Sequence, residues 1–202
     1  AEDERTDLTV TEQHRLVRRL MLEAIRAHAP YCDRLTVVAV PGNHDQAVRV
    51  PGMTTYDDSF DVDALVAITD LMAENPAAFG HVETYVPRRD SKFVTLDVNG
   101  TTILHLHGVD VRPGRYFEWW KGQAFEAGSD AHAAEVMLMA HHHHFMVDTE
   151  GDRMVVQVLG GTRGLDVAST AVLFMGVYPL PFTEVMHASV NELLRHVASP
   201  KL

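Results

Sequence analysis

Two stretches of the sequence repeat apolar residues at the spacing of an amphipathic α-helix. The first opens with the capping box Thr9-Val-Thr-Glu12 and continues to Pro30. Its apolar positions are Leu16, Val17, Leu20, Met21 and Ile25, and its solvated face carries Arg15, Arg18, Arg19 and Arg26. The second is predicted to begin with Asp61 as N-cap and to run through Leu65, Ile68, Leu71 and Met72 to Asn75-Pro76. Both helices are expected to cover one face of a sheet.

Short apolar, β-branched runs predict the strands. Three of these runs end in polar side chains: residues 35–40 precede Pro41-Gly-Asn-His-Asp45, residues 101–106 precede His107-Gly108, and residues 135–140 precede four histidines, His141 to His144. Further strands are expected at residues 81–86, 93–98, 145–147, 154–159 and 171–178, with a terminal helix at residues 184–197. Asn99-Gly100 predicts a type I′ hairpin turn in mid-chain, so the sheet is expected to be mixed rather than purely parallel.

The three polar strand ends carry side chains that can bind a metal. Ligands of α/β folds collect outside the carboxyl ends of the strands. Side chains two positions apart on a strand share a face, so His141 and His143 are expected to point the same way. Imidazole with amide and carboxylate oxygen is a ligand set for zinc, iron or manganese. For Asn43-His44 alone, a glycine turn with a chance histidine is the alternative, and His105 is expected to be a hydrogen-bonded histidine behind His107.

These motifs resemble those of the calcineurin-like metallophosphoesterases. Gly42-Asn-His-Asp45, His107-Gly108 and Ala140-His-His-His143 are similar, in order and spacing, to the third, fourth and fifth motifs of that family. Within that family, residues 38–45 and 141–145 are most similar in sequence to phage-encoded phosphoesterases related to DNA exonuclease nuclease subunits. The resemblance implies an α/β fold: a layered sandwich with mixed β-sheets flanked by helices. Ala140 stands where the family usually has glycine, and Val109 where the phage branch often has aspartate.

The resemblance also implies a role for each residue. Asn43, His107 and His141 would bind one divalent metal, and His143 would bind a second one, with manganese favoured over zinc or iron as the cofactor. His44 would stabilise charge on the phosphate or protonate the leaving group, and Asp45 would orient the His44 ring. The family pattern opens with one strand that ends in Asp-x-His and a second that ends in Gly-Asp, and neither precedes residues 35–45 here. The chain is therefore expected to be either a fragment of a longer protein or a short form whose dimetal site is incomplete.

The sequence is compatible with two candidate functions. The first is a metal-dependent phosphoesterase, specifically a phosphodiesterase or nuclease, whose substrate is a phosphoester with DNA as a candidate. The second, motivated by the absent motifs, is a catalytically silent metallophosphoesterase-like subunit that binds a partner or a single metal, or an incomplete fragment of a longer protein. The sequence leaves open whether the chain forms a homo-oligomer or joins a partner subunit.

Composition narrows the class of protein. The chain has 202 residues, of which 46% are hydrophobic and 22% charged, and residues 1–202 are interpreted as one globular domain. Cys32 is the one cysteine, so no intramolecular disulfide forms, and a cytoplasmic location without a membrane segment is expected. The formal charge of −11 argues against nucleic-acid binding by phosphate neutralisation alone, but not against a nuclease whose metals attract phosphate.

A cluster of arginines and tryptophans follows the second polar strand end. Arg112, Arg115, Trp119 and Trp120 could clamp a phosphate or stack on a base. Paired tryptophans more often anchor a loop on the core, and this interpretation is preferred.

Overall fold

The computed structural model describes residues 8–45, 56, 58–126 and 129–158. The helices are α1 (Val10–His28), α2 (Phe60–Ala73), α3 (Pro76–Phe79) and α4 (Tyr116–Gly122). The strands are β1 (Leu35–Val38), β2 (Val82–Tyr85), β3 (Phe93–Val98), β4 (Thr101–Leu106), β5 (Val136–Met139), β6 (Met146–Glu150) and β7 (Arg153–Gln157). Three single 3-10 turns lie at Ala29–Tyr31, Gln123–Phe125 and Ala131–Ala133.

The described strands form two sheets. β1 and β2 pair in parallel, with Leu35 opposite Val82 and Val38 opposite Tyr85. The second sheet has the order β3-β4-β5-β7-β6, in which β4, β5 and β7 are parallel and the two edge strands are antiparallel to their neighbours. The expected fold class, α/β with mixed sheets flanked by helices, is confirmed.

The two sheets face each other and carry helices outside. Val38 and Val40 from the smaller sheet pack with Val94 from β3, and Tyr85 and Leu96 complete this contact. On the other side of the smaller sheet, α1 and α2 bury Ile25, Leu65 and Ile68 against Leu35 and Val37. On the far side of the larger sheet, α4 buries Trp120 against Leu104, Met137 and Val155. The result is a sandwich of two sheets with helices on both outer faces.

Several local predictions are confirmed by the backbone. Thr9 and Glu12 form the predicted capping box at the start of α1. Asn99 and Gly100 both have positive φ, 53° and 84°, as the type I′ turn requires. Leu20 departs from the predicted apolar face, because it is 44% exposed.

The start of α2 differs from the prediction. Ser59, and not Asp61, is the N-cap, because the Ser59 hydroxyl accepts a hydrogen bond from the backbone N–H of Val62 at 3.2 Å. The predicted strand at residues 171–178 and helix at residues 184–197 lie outside the described residues. A bilayer crossing would require more length and more apolar character than any of the described helices has.

Candidate metal centre

The first strand of the smaller sheet positions Asn43. After β1 the chain continues through the buried residues Ala39, Val40 and Pro41 and then turns at Gly42. The turn lies against the larger sheet, since a Cβ on Gly42 would make an ordinary contact of 3.6 Å with the imidazole of His107. The turn therefore brings the side chain of Asn43 to the end of the larger sheet.

Two neighbouring strands of the larger sheet position His107 and His141. β4 and β5 are parallel, and the ladder extends beyond both strands because the backbone N–H of Ala140 donates to the carbonyl of His107 at 3.0 Å. Gly108 lets the strands stay this close: its φ is 106°, and a Cβ there would lie 2.7 Å from the terminal methyl of Met139. The two histidines therefore leave the same edge side by side.

Three donor atoms meet at this edge. Asn43 Oδ1 lies 2.8 Å from His107 Nε2, and His107 Nε2 lies 3.2 Å from His141 Nδ1. An amide oxygen only accepts, so the hydrogen of the first contact belongs to His107 Nε2. His141 Nδ1 then faces the same hydrogen with a lone pair, so two acceptors compete for one hydrogen. A cation between the three atoms would let each of them present a lone pair.

The donor set fits one divalent metal. Ligands at ~2.0–2.2 Å from a metal lie about 3.0–3.5 Å from one another in octahedral or tetrahedral geometry. The observed separations, 2.8 and 3.2 Å, need only a few tenths of an ångström of adjustment. Within the described ranges no three His, Cys, Asp or Glu side chains form a metal-binding group.

The four histidines that follow β5 do not share the alternation of a strand. His141 and His143 have φ of 69° and 54°, so the chain bends at each of them and the strand alternation behind the prediction that the two point the same way is absent. His142 Nε2 contacts the Val111 carbonyl at 3.0 Å, and His144 Nδ1 contacts the His142 carbonyl at 2.9 Å. His143 is exposed, and in the described part of the chain no hydrogen bond joins it to the three donors. Its role as ligand of a second metal stays a prediction.

His44 lies beside the donor set and is exposed. Its Nε2 lies 3.1 Å from Asn43 Nδ2, so the amide donates to the ring and turns its oxygen toward His107. This contact makes the amide orientation of Asn43 depend on His44. An exposed ring next to a ligand is compatible with the predicted contact to substrate.

Asp45 is placed differently from the expectation. One carboxylate oxygen accepts a hydrogen bond from the Ser59 hydroxyl, and the other is buried and has no hydrogen-bond partner among the described residues. Neither oxygen binds the ring of His44. The backbone carbonyl of Asp45 also accepts from the N–H of Phe60 at 2.8 Å, so Asp45 ties the loop to the start of α2.

Trp120 belongs to the core and cannot stack on a base. It is fully buried, and its Nε1 donates to the Ala131 carbonyl at 2.6 Å. Arg115 is exposed and pairs with Glu118, whose carboxylate lies 3.2 Å away. The preferred interpretation of the tryptophan pair as a core anchor therefore holds for Trp120. His105 is also buried as expected, with Nδ1 3.3 Å from the Val94 carbonyl, and burial lowers its pKa.

Sequence reasoning missed Gln157 at the carboxyl end of β7. It is fully buried, and its Nε2 donates to the His144 carbonyl at 2.7 Å, which fixes the end of the histidine run. Its Oε1 is buried without a hydrogen-bond partner among the described residues. The signal was available, because Gln157 is a polar residue at the end of an apolar strand, like the three strand ends described above.

Comparison with known proteins adds little to this geometry. No family model matches the chain, and neither does any curated protein. Among solved structures, a protein described as a predicted phosphoesterase from Streptococcus pneumoniae TIGR4 is 10% identical over 74% of this chain and 71% of its own, with a TM-score of 0.34. A Vps29 mutant from Entamoeba histolytica is 12% identical over 69% of this chain and 62% of its own, with a TM-score of 0.34.

Vps29 from Cryptosporidium parvum is 13% identical over 44% of this chain, with a TM-score of 0.28. This chain spans half the length of that protein. Likeness at such TM-scores carries no argument, so membership of the metallophosphoesterase family stays a prediction from the motifs.

Proposed function

We propose that this chain is a metal-dependent phosphoesterase that hydrolyses phosphodiesters, with DNA as a candidate substrate. The observation that carries the proposal is that His107 Nε2 lies 2.8 Å from Asn43 Oδ1 and 3.2 Å from His141 Nδ1 at one sheet edge. These atoms come from three strand ends that the motif resemblance singles out, and they suit one divalent cation, with manganese favoured over zinc or iron.

The metal would supply an activated water and neutralise charge on the phosphoryl oxygens. Side chains of the protein would hold the metal, orient its ligands and assist the leaving group. His107, which is only 7% exposed, would hold the cation from a side that is closed to bulk water. His44 accepts from the Asn43 amide and so holds its oxygen toward the site. The exposed His44 ring would stabilise charge on the phosphate or protonate the leaving group.

A metal-binding subunit without catalytic activity is the second candidate. The described residues bring together three donors, which suffice for one cation with water in the remaining positions. No hydrogen bond among the described residues joins His143 to them, so a second cation would have one identified ligand, His143 itself. This ligand count favours binding of a single metal over hydrolysis at a dimetal centre.

Calorimetric titration of the purified chain with Mn²⁺, beside an assay of bis(p-nitrophenyl) phosphate hydrolysis, separates the two candidates. We expect one Mn²⁺ per chain, lost in His107→Ala, and metal-dependent turnover would support the phosphoesterase. Binding without turnover would favour the silent subunit. Absence of Mn²⁺, Zn²⁺ and Fe²⁺ binding would contradict both.

A further inference from the structure

The backbone at His141 has an unusual conformation. Its φ is 69°, and the N–H of the next residue, His142, donates to the Ala140 carbonyl at 2.8 Å. A hydrogen bond that spans three residues with positive φ at the central one defines a form of the γ-turn that is rare and strained. A residue with a side chain keeps such a conformation only where the surrounding structure imposes it. The contacts that hold this turn therefore decide where the His141 ring points.

The side chain of His142 makes one such contact. Its Nε2 lies 3.0 Å from the Val111 carbonyl, and because a carbonyl oxygen only accepts, Nε2 carries the hydrogen and donates it. The His142 ring is half-buried and lies edge-on to the ring of His141, with 4.9 Å between the ring centroids. His142 therefore contacts the ligand His141 with its ring and the backbone of Val111 with its Nε2.

Val111 provides a fixed acceptor for this hydrogen bond. The residue is 1% exposed and packs with Met139 in the core beneath α4. Its backbone N–H donates to the Gly108 carbonyl at 3.0 Å, which closes the turn that follows His107. The hydrogen bond from His142 therefore connects the turn after β5 to the turn after β4, and a histidine of the donor set adjoins each turn.

Other hydrogen bonds fix the chain on either side of the γ-turn. The N–H of Ala140 donates to the His107 carbonyl before the turn, and Gln157 donates to the His144 carbonyl after it. The imidazole of His142 acts between these two points, at the last residue of the turn itself. It is therefore placed to hold the strained conformation.

We infer that His142 is a positioning residue, which holds His141 toward the other two donors through its hydrogen bond to the Val111 carbonyl. The inference rests on the metal site of the proposed function and adds to it a residue that does not bind the metal. Without the hydrogen bond the strained turn would relax in the metal-free chain, and metal binding would have to restore it. One net hydrogen bond corresponds to a factor of about 2–13 in an equilibrium constant, so metal affinity should fall by that factor.

Three substitutions separate the hydrogen bond from the ring. His142→Ala removes both, His142→Phe keeps a ring without a donor, and His142→Gln keeps a side-chain N–H donor without the ring. His132→Ala is the matched control. His132 is exposed, its Nδ1 donates to the Ser129 carbonyl at 3.1 Å, and it precedes β5 at the opposite end of the strand.

The first measurement needs no metal. Hydrogen exchange of the residue-142 amide, followed by NMR on the 202-residue chain in EDTA, reports the hydrogen bond to the Ala140 carbonyl. We expect its protection factor to fall in His142→Ala and His142→Phe and to be retained in His142→Gln and His132→Ala. The second measurement is calorimetric titration with Mn²⁺, in which the first two variants should bind more weakly by the factor given above and the other two should bind like the unchanged chain.

Equal protection in all variants, or rescue by His142→Phe and not by His142→Gln, would overturn the inference. Unchanged Mn²⁺ affinity in His142→Ala, or an equal loss in His132→Ala, would overturn it as well. If the unchanged chain binds no Mn²⁺, the proposed function fails, whereas amide exchange still decides whether His142 holds the turn.

Discussion

Gly108 is the position where a single methyl group should do the most damage to the candidate site. It lies directly after His107, has a φ of 106°, and a Cβ there would come within 2.7 Å of the terminal methyl of Met139. Met139 is fully buried in the core beneath α4, so its methyl can move only by displacing neighbours. Gly108→Ala therefore combines backbone strain with overpacking.

Three glycines separate these two effects. Gly122, at the end of α4, has ordinary φ and open space, so Gly122→Ala should stabilise the fold by about 0.5–1 kcal/mol. Gly100 has a φ of 84° and open space, so Gly100→Ala should cost the left-handed conformation alone, about 1–2 kcal/mol. Gly108→Ala adds overpacking of about 1–3 kcal/mol to a similar strain, giving about 2–5 kcal/mol.

Urea unfolding of the three variants measures these free energies, with the slope m checked for constancy. Calorimetry with Mn²⁺ provides a second readout, in which Gly108→Ala should weaken binding by displacing His107 and Gly100→Ala should not. If Gly108→Ala and Gly100→Ala cost the same, the Met139 methyl gives way freely and the overpacking argument is wrong. If Gly108→Ala is as stable as Gly122→Ala, β4 and β5 leave room for a Cβ at this position.

Three further substitutions address the site, and a labelling experiment addresses the one cysteine. His44→Ala should lower turnover by about 10²–10⁴-fold and keep the metal, since the contact with His107 still orients the Asn43 amide. His141→Ala should lose the metal as well, and equal metal loss measured by elemental analysis would refute this division. Gln157→Leu removes the hydrogen bond to the His144 carbonyl and should weaken Mn²⁺ binding by releasing the end of the histidine run, a result that unchanged calorimetry would contradict. Burial and the neighbouring Asp33 raise the pKa of Cys32, so less thiolate is present at pH 8 and iodoacetamide should react more slowly with the folded chain than with the urea-unfolded one. Equal rates would exclude the shift.

The features that the sequence predicted well depend on few residues. Thr9 and Glu12 make their contacts within one helical turn, and Asn99-Gly100 determines its own backbone conformation. The meeting of Asn43, His107 and His141 was also expected, because a strand that ends in a polar residue at a buried sheet edge has few other places to deliver it.

The features that were missed depend on distant residues. Ser59 and Asp61 are both good N-cap residues, and the choice of Ser59 is stabilised by Asp45, which binds its hydroxyl from fourteen positions earlier in the chain. That contact also removes Asp45 from the ring of His44. A pattern of neighbouring residues cannot reveal such a pairing, because it arises only when the loop after β1 packs on the start of α2.

The histidine run shows how the backbone decides chemistry. Four identical side chains take different partners because φ is positive at His141 and His143, so that His141 reaches the donor set while His142 binds the Val111 carbonyl. The remaining donor, Asn43, comes from the other sheet. A cation held by Asn43, His107 and His141 would join the two sheets of the sandwich, and the free energy of metal binding would then contribute directly to the stability of the fold. Metal affinity and sheet packing are therefore expected to change together in every variant that moves one sheet relative to the other.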